Sequence, residues 1–152
     1  MKLALIGHGA IARQILKAIG ESGRHQAAII LDVVESERPG APHVTQSLSD
    51  LLATRPDFVV ECASHGAVDA HAAPILEAGF DLLIVSVGAL ADERVRDKVF
   101  TAARRGRGRL FLPAGAIAGI DGLTAARLGG LTAVTLQSSK APVAWAGAPG
   151  VE

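Results

Sequence analysis

The sequence predicts an α/β fold in which a doubly wound parallel sheet is followed by the beginning of a second, α+β domain. Short runs of consecutive apolar residues alternate with amphipathic stretches. The composition then changes after Pro113. Continuous apolar runs are typical of strands buried on both faces, and strand–helix alternation produces parallel sheets with helices on both sides. A chain of 152 residues is long enough to bury one such core.

Each predicted strand before Pro113 is a short apolar run, and each predicted helix shows helical spacing or a terminal signal. In the first helix, Ile11, Ile15 and Ile19 share one face and Gly20 marks the end. Pro74 is expected to kink or split the third helix. The predicted strands are Lys2–Ile6, Ala27–Leu31, Phe58–Cys62, Asp81–Val85 and Arg109–Leu112, the predicted helices are Ala10–Ile19, Ser49–Ala53, Ala67–Ala78 and a last one capped by Asp92 and ending near Arg105, and Val33–His43 is predicted to be a loop.

The residues after Pro113 predict a second domain. Ala114–Gly122 is rich in Gly and Ala, Leu123–Leu128 is predicted to be helical, and Leu131–Ser138 is predicted to be a strand. We therefore assign residues 1–112 to the first domain and residues 113–152 to a crossover segment with the truncated start of a catalytic or dimerisation domain. Because one strand cannot form a sheet of its own, Leu131–Ser138 is expected either to pair with its twin from a second chain or to be poorly ordered together with Lys140–Glu152.

Charge and cysteine content exclude several classes of partner and site. Fifteen basic and fifteen acidic residues give no overall attraction to nucleic acid or to an anionic membrane. The single cysteine, Cys62, excludes an internal disulfide framework and is expected to be a buried, unreactive thiol. No apolar run reaches membrane-spanning length. We expect a cytoplasmic protein with no metal site, no nucleic-acid partner and no membrane partner.

The run from Gly7 to Ala12, GHGAIA, lies between the first strand and the first helix. In that context Gly7 permits a tight turn, Gly9 lets a diphosphate approach the backbone, and Ala12 allows close helix–strand packing. The N–H groups at the helix start, at Ala10 and Ile11, would then face the diphosphate. The run therefore predicts a Rossmann-type dinucleotide site, with an ordinary glycine turn as the alternative.

Asp32 strengthens this prediction because it ends the second strand, twenty residues after Ala12. A carboxylate there would accept hydrogen bonds from the ribose hydroxyls of an adenosine. It would also repel a 2′-phosphate, and Val33 adds no cation, so NAD is favoured over NADP; Arg38 leaves the use of both open. A turn acid at a strand end is the alternative.

Small residues follow two later strands, with Ala63 and Ser64 after the third and Ser86 and Gly88 after the fourth. Ligands of open α/β sheets bind in the crevice beyond the carboxyl ends of the strands. We expect these residues to let a ribose and a nicotinamide approach the backbone, with plain small-residue turns as the alternative. His65 is expected to cap a helix or face solvent rather than bind substrate.

Six stretches match motifs of one known family, and the match to that family extends over essentially the whole chain. The stretches are Gly7–Ala12, Val59–His65, Val85–Leu90, Leu112–Leu123, Ala125–Leu131 and Lys140–Trp145. The part after Pro113 is far more specific than the glycine run. On these residues the sequence resembles the L-aspartate dehydrogenase family.

The resemblance implies an enzyme that oxidises L-aspartate with NAD, or alternatively NADP. Hydride passes from the substrate Cα to NAD⁺, and water converts the iminoaspartate to oxaloacetate and ammonia. It also implies that Ala116 contacts the cofactor. The family's catalytic histidine and a cofactor-binding asparagine lie in a later stretch that has no counterpart here. We therefore expect no catalytic residue in this chain and no activity from it alone.

The resemblance further implies a homo-oligomer, expected to be a dimer, and a link to NAD biosynthesis through released iminoaspartate. Two alternatives stay open. A related two-domain dehydrogenase acting on another amino acid would share these motifs, and a stand-alone NAD-binding sensor or regulatory module would share the glycine run. Fold analogy alone does not identify the substrate.

Overall fold

The computed structural model describes residues 1–32, 42–115, 119–137 and 139, so most of the predicted loop Val33–His43 lies outside the described residues. The strands are β1 (Lys2–Ile6), β2 (Gln26–Leu31), β3 (His43–Thr45), β4 (Phe58–Glu61), β5 (Leu82–Ile84) and β6 (Leu110–Phe111). The helices are α1 (Ala10–Ser22), α2 (Leu48–Ala53), α3 (His65–Glu77), α4 (Glu93–Arg105) and α5 (Ile120–Leu128), and a 3-10 helix spans Val87–Ala91.

The described residues form a six-stranded parallel sheet in the order β3-β2-β1-β4-β5-β6. From β1 the chain builds outward to β3, then crosses back to place β4 on the other side of β1. The carboxyl ends of β2, β1 and β4 therefore meet where the strand order reverses, which is the ligand-binding position of such sheets. The predicted doubly wound parallel sheet is confirmed.

Hydrophobic clusters cover both faces of this sheet. Leu5 and Ile30 belong to a cluster that includes Ala12 of α1, whereas Ala4 and Ile6 belong to a cluster with residues of α2, α3 and α4. Adjacent strand residues enter different clusters because side chains alternate across a strand. Burial on both faces explains why the strands are continuous apolar runs in the sequence.

Three predictions about regular structure in this part of the chain were incomplete or wrong. Helix α1 does not end at Gly20 but continues to Ser22, and Gly23 ends it in the left-handed conformation that favours glycine. Strand β3 was not predicted, because its pairing with β2 is a tertiary contact and it is only three residues long. Pro74 does not split α3, which runs unbroken from His65 to Glu77. Packing keeps that helix continuous, since Val68, Ile75 and Leu76 on it are fully buried.

Residues 116–152 form a second compact unit, separate from Met1–Gly115. Its predicted helix is present as α5, but Leu131–Gln137 forms no strand, so that prediction is wrong for the residues described there; Ser138 lies outside them. A strand needs a hydrogen-bonding partner, and within the described ranges none pairs with this segment. Val134 and Leu136 are accordingly 56% and 64% exposed. That residues 113–152 begin the second domain of a longer protein stays a prediction.

Within the described ranges, no helix is both long enough and apolar enough to cross a membrane.

Asp69 on α3 binds two cations of α4. The Arg94 guanidinium donates to its carboxylate at 2.7 and 3.1 Å, and Lys98 Nζ donates to it at 3.2 Å. The hydrogen bond from Arg94, then that from Lys98, lowers the pKa of Asp69 from 3.8 to about 2. The charged carboxylate therefore helps to hold α3 against α4.

Replacing Asp69 with asparagine is expected to lower stability slightly at neutral pH and not at all in strong acid. A lowered pKa in the folded state stabilises above the unfolded value of 3.8, and the contribution disappears as pH falls through about 2. Urea unfolding of both proteins between pH 7 and pH 2 checks this. The control is Asp97→Asn, an exposed carboxylate of α4 that lies 3.7 Å from Arg96. A difference between wild type and D69N that persists unchanged at pH 2 would contradict the assignment.

Candidate functional site

A cavity of about 670 Å³ opens at the carboxyl ends of β1, β2 and β4. Five of the residues predicted from the sequence line it, namely Gly7, Gly9, Asp32, Ala63 and Ser64. Small-molecule sites in proteins commonly span about 300–1,000 Å³. The structure therefore gathers the glycine turn, the acid of β2 and the loop after β4 around one ligand-sized space.

Gly7 is required by the fold itself. Its φ is +96°, a backbone conformation that L side chains rarely adopt, and its N–H donates to the Leu31 carbonyl at 2.8 Å. A Cβ at this position would lie 2.7 Å from Ala63 Cβ and 2.8 Å from Ala63 Cα. The turn after β1 thus packs directly on the loop after β4, and only glycine fits between them.

Gly9 has no such structural reason to be glycine. Its φ is −77°, and a Cβ there would have no heavy atom within 4 Å among the described residues. It is the N-cap of α1, with no side-chain cap and no acidic residue in the first turn. The first N–H groups of a helix have no intrahelical acceptor and attract anions. The open space at Gly9, and helix N–H groups with neither a side-chain cap nor an acidic residue beside them, suit a phosphate-bearing ligand at this edge of the cavity.

Ala10 and Ile11 form the first turn of α1 but do not line the cavity, and Ile11 is exposed. At these two positions the predicted contact with the diphosphate is made by the backbone N–H group and not by the side chain. Ala116 lies outside the described residues, so its predicted cofactor contact stays a prediction.

Asp32 borders the cavity at the end of β2, half-buried. Its N–H donates to the Thr45 carbonyl at 2.9 Å, which joins the end of β2 to β3. Gln46, the residue after β3, lines the cavity as well. Gln46 was not predicted as a site residue, because the strand that places it was not predicted either.

The α3 side of the cavity is formed by small residues and one histidine. Gly66, Ala67, Ala70 and His71 line it. Burial lowers the pKa of His71 from 6.5, so its imidazole is neutral at neutral pH. The sequence did not single out His71 because nothing around it resembles a catalytic or metal motif.

Ser86 and Gly88 lie outside the cavity lining. The Ser86 hydroxyl donates to Glu61 Oε1 at 2.9 Å. A Cβ on Gly88 would lie 2.8 Å from His65 Nε2, so this glycine makes room for the imidazole. Ser64, rather than His65, caps α3, its Oγ accepting from Ala67 N at 3.2 Å. The loop after β5 thus supports the loop after β4 instead of facing the cavity.

Two buried residues with polar side chains lie at the carboxyl end of β4, Glu61 behind the cavity wall and Cys62 in the cavity lining. Glu61, the last residue of β4, is almost completely buried and was missed by the sequence analysis as a site residue. Burial raises the pKa of the Cys62 thiol to about 11, and the negative charges of Glu61 and Asp32 add to the shift. Cys62 is therefore a protonated, unreactive thiol at neutral pH, as expected. Among the described residues no group of His, Cys, Asp and Glu could hold a metal ion.

Comparison with known proteins decides the family. Residues 7–113 match the family model described as the NAD-binding domain of homoserine dehydrogenase. The chain belongs to this family of NAD-binding domains. The predicted dinucleotide-binding domain is thereby confirmed, and its matched range begins at the glycine turn.

Named relatives of this NAD-binding domain are L-aspartate dehydrogenases. The enzyme of Polaromonas sp. is 38% identical over 98% of this chain and 58% of its own length, and that of Ralstonia nicotianae is 50% identical over 64% and 36%. The crystal structure of aspartate dehydrogenase from Thermotoga maritima is 31% identical with a TM-score of 0.66, over 82% of this chain and 50% of that one. The predicted resemblance is confirmed, and the match spans between 36% and 58% of the length of these relatives.

Proposed function

We propose that this chain is the cofactor-binding part of an NAD(P)-dependent L-aspartate dehydrogenase. The observation that carries the proposal is the open space at Gly9, where a glycine that the fold does not need begins a helix at the rim of the cavity. The similarity to L-aspartate dehydrogenases supports the choice of substrate.

The sheet order suggests how a dinucleotide would lie. Its diphosphate would cross the end of β1 at Gly7 and Gly9, and the adenosine ribose would meet Asp32 at the end of β2. The ribosyl-nicotinamide half would then lie on the other side of β1, against Ala63 and Ser64 after β4. All of these residues line the one cavity.

The bound nicotinamide supplies a hydride acceptor, which no amino-acid side chain provides. The residues of this chain would hold the diphosphate, select the adenosine ribose and fix the plane in which the nicotinamide half rests. The substrate would be L-aspartate, oxidised at Cα and hydrolysed to oxaloacetate and ammonia. A homodimeric assembly stays a prediction of the resemblance. A cytoplasmic location stays a prediction from the cysteine content, and the free thiol of Cys62 agrees with a reducing compartment.

Assaying the complete dehydrogenase to which this chain would belong, rather than residues 1–152 alone, for amino-acid-dependent reduction of NAD⁺ tests the substrate. We expect NADH to form with L-aspartate and not with D-aspartate, L-glutamate or L-homoserine. Turnover of L-homoserine or L-glutamate instead would identify a related dehydrogenase of the same plan. Tight NADH binding with no turnover of any of the four would favour the sensor or regulatory alternative.

Asp32 is expected to make the protein prefer NADH to NADPH. Like charges about 4 Å apart repel by about 1 kcal/mol in water and about 4 kcal/mol near a protein surface, so removing the carboxylate should relieve repulsion of the 2′-phosphate. Asp32→Ser should narrow the NADH-to-NADPH affinity ratio by about tenfold. Asp97→Ser, which removes an exposed charge on α4 away from the cavity lining, is the control. Equal affinity of the wild type for both nucleotides would contradict this role.

A further inference from the structure

Glu61 is a carboxylate at the carboxyl end of an apolar strand, and its side chain is only 1% exposed. A buried carboxylate is stable only when its oxygens accept hydrogen bonds. Val59, two residues earlier on the same face of β4, is a fully buried apolar side chain. An acid in this position therefore needs an explanation in terms of its partners.

The partners of Glu61 belong to two different loops. Its Oε1 accepts from the N–H of Ala63 at 2.8 Å, from the N–H of Ser64 at 3.0 Å and from Ser86 Oγ at 2.9 Å. Its Oε2 accepts from the N–H of Ser86 at 3.0 Å. These bonds continue the β4–β5 pairing, in which Val85 N donates to the Glu61 carbonyl at 2.9 Å, past the ends of both strands. The side chain thus ties the loop after β4 to the loop after β5.

The loop held by Glu61 is a wall of the cavity. Ala63 and Ser64 line the cavity, and Ala63 also packs against Gly7. Ser64 caps α3, so its position also sets where that helix begins. Glu61 itself does not line the cavity. It can therefore act on a ligand only through the backbone that it holds.

We propose that Glu61 is a positioning residue that fixes the wall against which the ribosyl-nicotinamide half of the dinucleotide rests. This inference rests on the proposed function, which places that half against Ala63 and Ser64. Glu61 also directs the Ser86 hydroxyl hydrogen toward itself, which leaves the lone pairs of Ser86 Oγ as its remaining hydrogen-bonding capacity. The adenosine half, at Asp32 on the other side of β1, does not depend on Glu61.

Binding of NADH and of ADP by Glu61→Gln tests this separation, because ADP lacks the ribosyl-nicotinamide half. Glutamine keeps the shape and an acceptor at the crowded Oε1 position, but its NH₂ group would face the N–H of Ser86, donor against donor. We expect NADH affinity to fall about tenfold, equivalent to about 1.4 kcal/mol, and ADP affinity to change by less than about threefold. A purely structural role would change both affinities alike or neither.

Val59→Ala is the matched control, since it weakens the same strand on the same face without touching either loop. It should lower stability while leaving the ratio of the NADH and ADP affinities as in the wild type. If Glu61→Gln does not fold, Ser86→Ala tests the inference instead, because it removes only the hydroxyl that donates to Glu61. It should lower the ratio of NADH affinity to ADP affinity as well, by a smaller factor than Glu61→Gln. If the folded variant, Glu61→Gln or otherwise Ser86→Ala, keeps the wild-type ratio of NADH affinity to ADP affinity, the inference is overturned. Wild-type protein that binds no NADH would instead overturn the proposed function.

Discussion

Replacing Gly7 with alanine is expected to lower the free energy of unfolding by about 2–6 kcal/mol. A side chain at a φ of +96° costs about 1–3 kcal/mol in backbone strain. The new Cβ would also lie 2.7 Å from Ala63 Cβ, and overpacking of this kind costs about 1–3 kcal/mol more. Urea unfolding followed by circular dichroism measures the loss.

Gly20→Ala is the matched control for Gly7→Ala. Gly20 lies within α1, and a Cβ there would meet no heavy atom within 4 Å among the described residues. Alanine in a helix interior is expected to stabilise by about 0.5–1 kcal/mol relative to glycine. Similar unfolding free energies for G7A and G20A would show that the turn after β1 is not packed as described.

Replacing Gly9 with valine is expected to abolish most NADH binding while leaving the fold intact. The position has an ordinary φ and open space in place of a Cβ, so the stability change should stay below about 1 kcal/mol. In the complex, the valine side chain would occupy the space of the diphosphate. Clashes of this size cost about 1–3 kcal/mol, which corresponds to about a 5- to 150-fold loss of affinity.

Fluorescence titration with NADH measures this loss, and Gly9→Ala provides a smaller step at the same position. G20A should bind NADH as the wild type does, because Gly20 lies outside the cavity lining. Unchanged NADH affinity in G9V would mean that the diphosphate binds somewhere else. The two substitutions are therefore expected to have different effects. Gly7→Ala should lower the stability of the fold, whereas Gly9→Val should lower the affinity for NADH and leave the fold intact.

Most of the sheet was predictable because its strands are recognisable in the sequence as short apolar runs. β1, β2 and β4 are buried on both faces, so their apolar runs are continuous and stand out. β3 contains no such apolar run, since it is a strand only through its pairing with β2. In the second unit the β-branched composition of Leu131–Gln137 predicted a strand, but composition does not supply a partner.

The glycines and the acid of the site were predictable for the same reason, as their roles follow from neighbours in sequence. Gly7 and Gly9 sit between a strand and a helix, and Asp32 ends the next strand. Glu61, Gln46 and His71 were not predicted, because their roles come from elements that only the fold brings together. A charged residue closing an otherwise apolar strand is the signal that would have drawn attention to Glu61, since such a group must find hydrogen-bond donors.

Calorimetric titration of the 152-residue chain with NADH shows whether the chain binds a dinucleotide. We expect saturable binding near one NADH per chain, with ADP competing for the same site through the Gly7–Gly9 turn and Asp32. The absence of any binding heat up to millimolar NADH, with the chain shown to be folded, would contradict this expectation.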